Sequence, residues 1–260
     1  MREIRFLLAV WKANLLSAME YRAAFIAQIA GMMLNNGFYF IFWIIFFDQF
    51  GEVRGWNLND MFLVFGIAAA SFGLTAFLFG NAFSMSEVIA GGRMDYYLSM
   101  PRPVLLHTIA SRAIPSGLGD LTYGILSYLL SGYFSLDGLG RFLLGVILAS
   151  TVFVAFLIIV HSLTFWLGNA QALAGLLMNA MLTFALYPSS LFDGPAKFIL
   201  FSIIPAALMG SIPASLVRGM TWGNLGGLLI GAVLLLGLAI TIFHLGLRRY
   251  ESGSAIQVEV

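Results

Sequence analysis

Residues 141–168 read RFLLGVILASTVFVAFLIIVHSLTFWLG. After Arg141 the run carries no charged side chain, and His161 is its only other ionisable group. Its apolar residues follow one another without alternating, so it reads as a helix and not as a barrel strand. A helix rises about 1.5 Å per residue, and about 20 apolar residues cross a hydrocarbon core roughly 30 Å thick. The run is long enough to cross, and a water-soluble fold has little use for it.

Five further stretches have the same character: 23–47, 60–82, 105–134, 171–191 and 223–247. The whole chain of 260 residues is 60% apolar and 10% charged, with a mean hydropathy of +0.94. Soluble domains average about 45–50% apolar and about 25% charged. These figures exclude a soluble enzyme, a disordered chain and a nucleic-acid binder. The expected class is an all-α integral membrane protein, with one transmembrane domain over 1–260 built from six spans. Cysteine is absent, which excludes disulfides and thiolate metal sites.

The net charge of +1 carries no argument, but the positions of the charges do. Segment 1–20 mixes Arg2, Glu3, Arg5, Lys12 and Glu20 with apolar residues, and no small-residue cleavage site follows it. Ile4, Leu7, Leu8, Trp11 and Leu15 fall on an i, i+3, i+4, i+7, i+11 stripe. That predicts an amphipathic helix lying in the headgroup layer. With the N-terminus cytoplasmic, six spans return the C-terminus to the cytoplasm. The inner segments then hold nine basic residues (Arg2, Arg5, Lys12, Arg22, Arg93, Arg102, Arg112, Arg248, Arg249) and the outer ones four (Arg54, Arg141, Lys197, Arg218). Nine against four favours this orientation.

Two connections are too long for turns. The inner one, 83–104, contains Glu87, Arg93, Asp95 and Arg102, a Gly91-Gly92 break and Pro101-Arg102-Pro103. It is polar enough to lie outside lipid and apolar enough to pack against something. The outer one, 192–220, follows Pro188 and contains Pro195, Pro205 and Pro213 around the apolar run FILFSIIPAALM at 198–209. As a helix that run reaches only about 18 Å, so it predicts a re-entrant hairpin before the last span. Irregular backbone at that depth must be buried in protein or line a cavity.

No catalytic constellation is present. Neither Lys12 nor Lys197 follows a glycine, so there is no phosphate-binding loop of the Gly-x-x-x-x-Gly-Lys type. No serine lies in Gly-x-Ser-x-Gly, the three histidines are far apart, and no close carboxylate pair occurs. Ionisable groups inside spans are the remaining candidates. Asp120 falls in the third span and His161 in the fourth, at similar depth. Either they pair or face a shared polar cavity, or each makes a local hydrogen bond. The abundant Phe and Met can line a pocket for greasy molecules, though they also serve as lipid-facing and packing residues. Gly227 and Gly231 form a Gly-x-x-x-Gly in the last span, a pattern that permits close helix contact.

Four features together resemble the permeases of bacterial ABC exporters of the ABC-2 class. They are the amphipathic start with Tyr21-Arg22; Ile89-Ala90-Gly91-Gly92-Arg93-Met94-Asp95-Tyr96-Tyr97-Leu98 with Pro101; Tyr187-Pro188 followed by Ile204-Pro205 and Ile212-Pro213-Ala214; and the ending Leu247-Arg248-Arg249-Tyr250-Glu251-Ser252. The resemblance covers nearly the whole chain. It implies an N-terminal elbow helix, six transmembrane helices and a re-entrant hairpin formed around Pro188, Pro205 and Pro213. It implies a bacterial inner-membrane permease with no catalytic, metal or cofactor site of its own. It implies that this permease works with two copies of an ABC ATPase that hold ATP and Mg, and with a second permease of the same or homologous kind. Segment 83–104 would carry the coupling helix, with Glu87, Arg93, Asp95, Tyr96, Tyr97, Leu98 and Arg102 at the ATPase. The spans hold few fixed charges, so the expected substrate is hydrophobic or amphipathic: a drug, a lipid or a lipid-linked compound. A competing reading is a secondary transporter with Asp120 as its ion-coupling residue. It expects broken spans in both halves of the chain, and the sequence shows a broken stretch only at 198–218. An intramembrane enzyme or a non-transporting scaffold has no motif in its favour.

Overall fold

The breaks between helices fall where glycine, proline or clustered polar residues interrupt the apolar runs. The structure, a computed structural model, describes residues 2–251; Ser252 of the quoted ending lies outside them. Helix α1 (Arg2–Ala18) passes through a 3-10 turn at Met19–Tyr21 into α2 (Arg22–Phe50). There Gly51, at φ +64°, stops the helix. Arg54 and Gly55 both take positive φ and close the Val53–Trp56 bridge, the backbone of a type I′ turn. Asn57 and Asp60 then form a capping box that opens α3 (Leu58–Phe79). After a 3-10 turn at Gly80–Ser84 come α4 (Met85–Ala90), α5 (Met94–Leu98), α6 (Val104–Ala110) and α7 (Gly117–Leu130). Helix α8 (Leu136–Ser162) continues through Leu163 into α9 (Thr164–Leu167), which ends at Gly168 with φ +74°. The chain closes with α10 (Gln171–Ala185), a 3-10 turn at Ser189–Leu191, α11 (Gly194–Ser202), α12 (Ala206–Met209), α13 (Ser211–Arg218) and α14 (Trp222–Leu247).

Four helices, built on α2, α3, α8 and α14, are long and apolar enough to cross a membrane. The stretch 105–134 is not one continuous span. It divides into α6 and α7 at 111–116, where Pro115 cannot supply a helical N–H. Stretch 171–191 forms only the 15 residues of α10, about 22 Å of helix. The chain is therefore interrupted in both halves, at 111–116 and again within 192–220, and not only at 198–218.

The run 141–168 supplies most of the central helix, α8. From Val152 to Ile158 every residue of α8 is buried, and α3, α10, α13 and α14 pack around it. By contrast α2 buries only Phe40, Trp43 and Phe47, and α14 exposes Leu229, Val233, Leu234 and Leu238. Large exposed apolar faces on long helices suit a lipid solvent. Serine and threonine tie the interior together: Ser127 Oγ donates to Phe62 O at 2.9 Å, and Ser150 Oγ donates to Val146 O at 2.7 Å and Ser71 O at 3.2 Å.

The closest approach is between α3 and α7. A Cβ on Gly73 would meet Gly117 O at 2.3 Å, and one on Gly124 would meet Gly66 O at 2.5 Å. Gly66 and Gly73 lie two turns apart on α3, as Gly117 and Gly124 do on α7, so backbone meets backbone at both points. Within the chain, the Gly227/Gly231 pair plays a lesser part. Gly227 has open space around it, and Gly231 meets only the Leu208 side chain.

Helix α1 is amphipathic, but its inward face is rotated from the expected stripe. Phe6, Leu7, Val10, Trp11 and Leu15 are half-buried, whereas Ile4 and Leu8 are exposed. Trp11 Nε1 donates to Leu78 O at 2.8 Å, and that bond fixes the rotation.

Gly73→Ala must push α3 away from α7. It should destabilise the fold by roughly 1–3 kcal/mol and lower the thermal unfolding temperature of detergent-solubilised protein. Gly227→Ala, with nothing within 4 Å, should unfold at the wild-type temperature.

Candidate functional site

Three helices present apolar and polar residues at i, i+3, i+4 and i+7, the spacing of one helix face. On α2 these are Met32, Asn35, Asn36 and Tyr39. On α3 they are Phe65, Ala68, Ala69 and Phe72, and on α10 Asn179, Leu182 and Thr183 with Leu186 just past its end. Asp120 of α7 completes the wall of a cavity of about 270 Å³. The α3–α7 glycine contact brings Asp120 here, since Gly117 and Gly124 flank it on the same helix. On the other side Gly119 lies against α2, where a Cβ would meet Ile29 O at 2.5 Å.

Asp120 is buried, with 2% of its surface exposed. Asn36 Nδ2 donates to Asp120 Oδ1 at 2.7 Å, and also to Met32 O at 3.1 Å. Asp120 Oδ2 has no partner. No Lys, Arg or His is among the described residues lining the cavity. Asn35, Tyr39, Asn179 and Thr183 are exposed at its mouth; Asn35, Tyr39 and Asn179 lie near the middle of their helices and Thr183 in the last turn of α10, among exposed side chains that are largely apolar.

His161 belongs to a different contact. Its Nδ1 lies 2.8 Å from Ser86 Oγ and 3.3 Å from Ser86 N, and its Nε2 is buried without a partner. Asp120 and His161 therefore bond separately, and His161 does not line the cavity. Its role is to tie the end of α8 to the start of α4.

Segment 83–104 is a helix–turn–helix in which Met85, Val88, Ile89 and Met94 are buried. Gly92, at φ +68°, makes the turn between α4 and α5. The candidate residues divide by direction. Glu87 and Arg93 are exposed and 3.9 Å apart, and Asp95, Tyr96 and Leu98 are also exposed. Burial and the Asp95 carboxylate push the Tyr250 hydroxyl above the usual phenol range. Tyr97 turns inward: its hydroxyl lies 2.9 Å from Ser111 Oγ and accepts from Asn81 Nδ2 at 3.4 Å, and its ring packs edge-on against His107. Arg102 pairs with Glu3 of α1 at 3.1 Å and lies over the Phe6 ring at 4.8 Å. Tyr97 and Arg102 thus hold the segment against α6 and α1.

At the opposite end of α3 stands a cluster that spacing alone did not suggest. Asp60 is fully buried. It accepts from Tyr133 Oη at 2.8 Å and from Asn57 N at 3.0 Å, and Arg218 Nε lies 2.9 Å away. Arg218 also donates to Gly55 O at 3.0 Å and lies over the Trp56 ring at 4.9 Å. Arg54 pairs with Asp193 at 2.8 Å and donates to Ser190 O at 2.7 Å. These contacts fasten both ends of the segment 190–218 to the α2–α3 turn. Pro188, Pro205 and Pro213 are buried. Pro213 packs against Gly145 of α8, and Gly210 lies so close to α10 that a Cβ would meet Ala185 O at 1.9 Å. The three prolines are folded against protein. The signal that would have found Asp60 and Arg218 is an acidic residue at the third position of a capped helix, together with a lone arginine ending an amphipathic turn.

The sequence model of a family described as ABC-2 family transporter protein matches residues 33–254. No curated protein matches the chain.

Arg218→Met removes the cation from a fully buried carboxylate and should destabilise the protein by about 3–5 kcal/mol. Arg54→Ala breaks an exposed pair and should change stability by at most about 1 kcal/mol. Thermal unfolding of the two purified variants side by side measures both effects.

Proposed function

The chain belongs to the ABC-2 family of transporter proteins, and on that premise we propose that it is the permease subunit of an ATP-driven exporter energised by a separate ATPase. As a family member it is a membrane transport component with long apolar helices. The observation that carries the finer reading is the build of segment 83–104. Its buried residues fix it to α8, α6 and α1, while Glu87, Arg93, Asp95, Tyr96 and Leu98 project outward. A docking element needs anchors that fill a pocket and charges that set register, and this face offers both. Its rigid attachment lets a push on α4 reach α8 through Ser86 and His161.

In this reading two ATPase subunits hold the ATP and Mg, and a second permease, of the same or homologous kind, faces this one. Six crossings arise with α6–α7 as the third and α10 with its flanking turns as the fifth. Both termini are cytoplasmic, in a bacterial inner membrane. Helix α1 lies in the headgroup layer with Ile4, Leu8 and Leu16 toward the acyl chains, and segment 192–220 closes the outer end. The substrate is hydrophobic or amphipathic and passes along the face that carries Asn35, Asn179 and Thr183. Exposed amides at membrane depth call for protein or water opposite them, not lipid.

A secondary transporter coupled through Asp120 is the second reading. Two observations favour it: the unpartnered Asp120 oxygen and the interruption of the helices in both halves of the chain. ATPase capture decides between the two. Tagged chain purified from native membranes should bring down an ABC ATPase in a one-to-one ratio. Tyr96→Ala combined with Leu98→Ala should reduce that recovery about tenfold or more while leaving permease yield and unfolding temperature unchanged. Recovery of folded permease with no ATPase would put the secondary-transporter reading first.

A further inference from the structure

The cavity between α2, α3, α7 and α10 has a composition that selects among amphipathic molecules. Its base is the Asp120 carboxylate, with one oxygen held by Asn36 and the other without a partner. Asp120 is the only carboxylate among the described residues lining the cavity, and no basic residue there balances it. A buried, uncompensated carboxylate is costly unless a cation or a proton comes to it. The geometry points to an occupant: we propose that this cavity binds the ammonium group of a cationic amphipath, a primary or secondary amine on an apolar stem. This deepens the permease reading and rests on it for the step from binding to transport.

The lining fits both parts of such a molecule. An ammonium brings several N–H donors and no acceptor. Opposite it are the Asp120 carboxylate and acceptor oxygens on Asn35, Asn179 and Thr183. Oδ2 is shielded in this conformation; a partial turn about the broad last torsion of the carboxylate, with the Asn36 amide following Oδ1, presents an oxygen to the cavity. The rings of Tyr39, Phe65 and Phe72 offer π faces to a cation. Leu182, Leu186 and Met32 surround an apolar stem. An anion would meet an unbalanced negative charge. A hard metal ion needs several oxygen ligands at short range, and among the described residues no group of three acidic or histidine side chains comes together.

The test uses the purified full-length chain in phosphatidylcholine nanodiscs, without any ATPase, so its outcome is independent of ATPase capture. The probe is 4-phenylbutylammonium, compared with 4-phenylbutanol by titration calorimetry, with empty nanodiscs subtracted. One charge-assisted hydrogen bond in a dry site predicts a preference for the ammonium of about ten- to hundredfold. Asp120→Asn, close in shape, should abolish that preference and leave alcohol affinity within about twofold. Thr183→Lys, which brings a rival ammonium into the cavity, should also abolish it, and this variant serves if Asp120→Asn does not fold. Equal binding of amine and alcohol by the wild type overturns the proposal. So does a preference that survives in the folded variants, or displacement of the amine by sodium but not by the bulky N-methylglucamine cation, which would make the site an inorganic-ion site.

Discussion

The backbone contact between α3 and α7 is the constraint on which the rest depends. Helices surrounded by lipid gain little from hiding apolar side chains from one another, so close packing and internal hydrogen bonds must hold them. Gly66 against Gly124 and Gly73 against Gly117 remove side chains from the seam and let the two helices touch. Between those points α7 carries Gly119 toward α2 and Asp120 into the interior. A wider seam would not hold Asp120 within reach of Asn36, nor bring the stripes of α2, α3 and α10 to a common cavity.

The two ends of α3 receive opposite treatment. At one end the capping box, Tyr133 and Arg218 satisfy Asp60 with short, partly buried bonds. That end is locked to the segment ending at Arg218. At the other end the chain turns through Gly80–Ser84 into a helix–turn–helix whose inward side is fixed and whose outward side is charged and aromatic. His161 and Ser86 join this segment to the centre of the bundle. A load applied to the exposed face therefore passes into α8, which touches α3, α10, α13 and α14. Contacts thus run from this segment through α8 to α3 and α10, two of the helices that wall the cavity.

Much of the fold is legible because apolar length is a strong signal. The runs at 23–47 and 223–247 lie within single long helices, 60–82 fills most of α3 and enters the 3-10 turn after it, and 141–168 runs through α8 and α9 to Gly168. The run 105–134 misleads because hydropathy averaged over a long window smooths across Ser111–Ser116; Arg112 and Pro115 are the local signs of the break. In α1, apolar residues occupy more than one face, so the stripe through Ile4 and Leu8 is as regular as the one that packs. The choice falls to the Trp11 indole bond to Leu78 O, a tertiary contact. Asp120 stands out in the sequence as a carboxylate in an apolar run, yet its partner Asn36 is 84 residues away, and spacing says nothing about such a pair. The Asn35/Asn36/Tyr39 and Asn179/Thr183 stripes are visible as polar residues on one helix face, but only the fold turns them toward one another. Gly227 and Gly231 have a spacing that permits close helix contact, while the glycine pairs that make one within the chain lie seven apart, on two separate helices.

In the proposed function the face bearing Asn35, Asn179 and Thr183 lines a transport path and does not meet lipid. The chain has no cysteine, so single cysteines report cleanly. Asn179→Cys and Val233→Cys, the latter on the exposed apolar face of α14, can be labelled in membranes by a charged, membrane-impermeant thiol reagent. Labelling is expected at Asn179→Cys, with a rate that changes on adding ATP and Mg in the presence of the ATPase, and none at Val233→Cys. An unlabelled Asn179→Cys in both conditions, or equal labelling of the two positions, would contradict it.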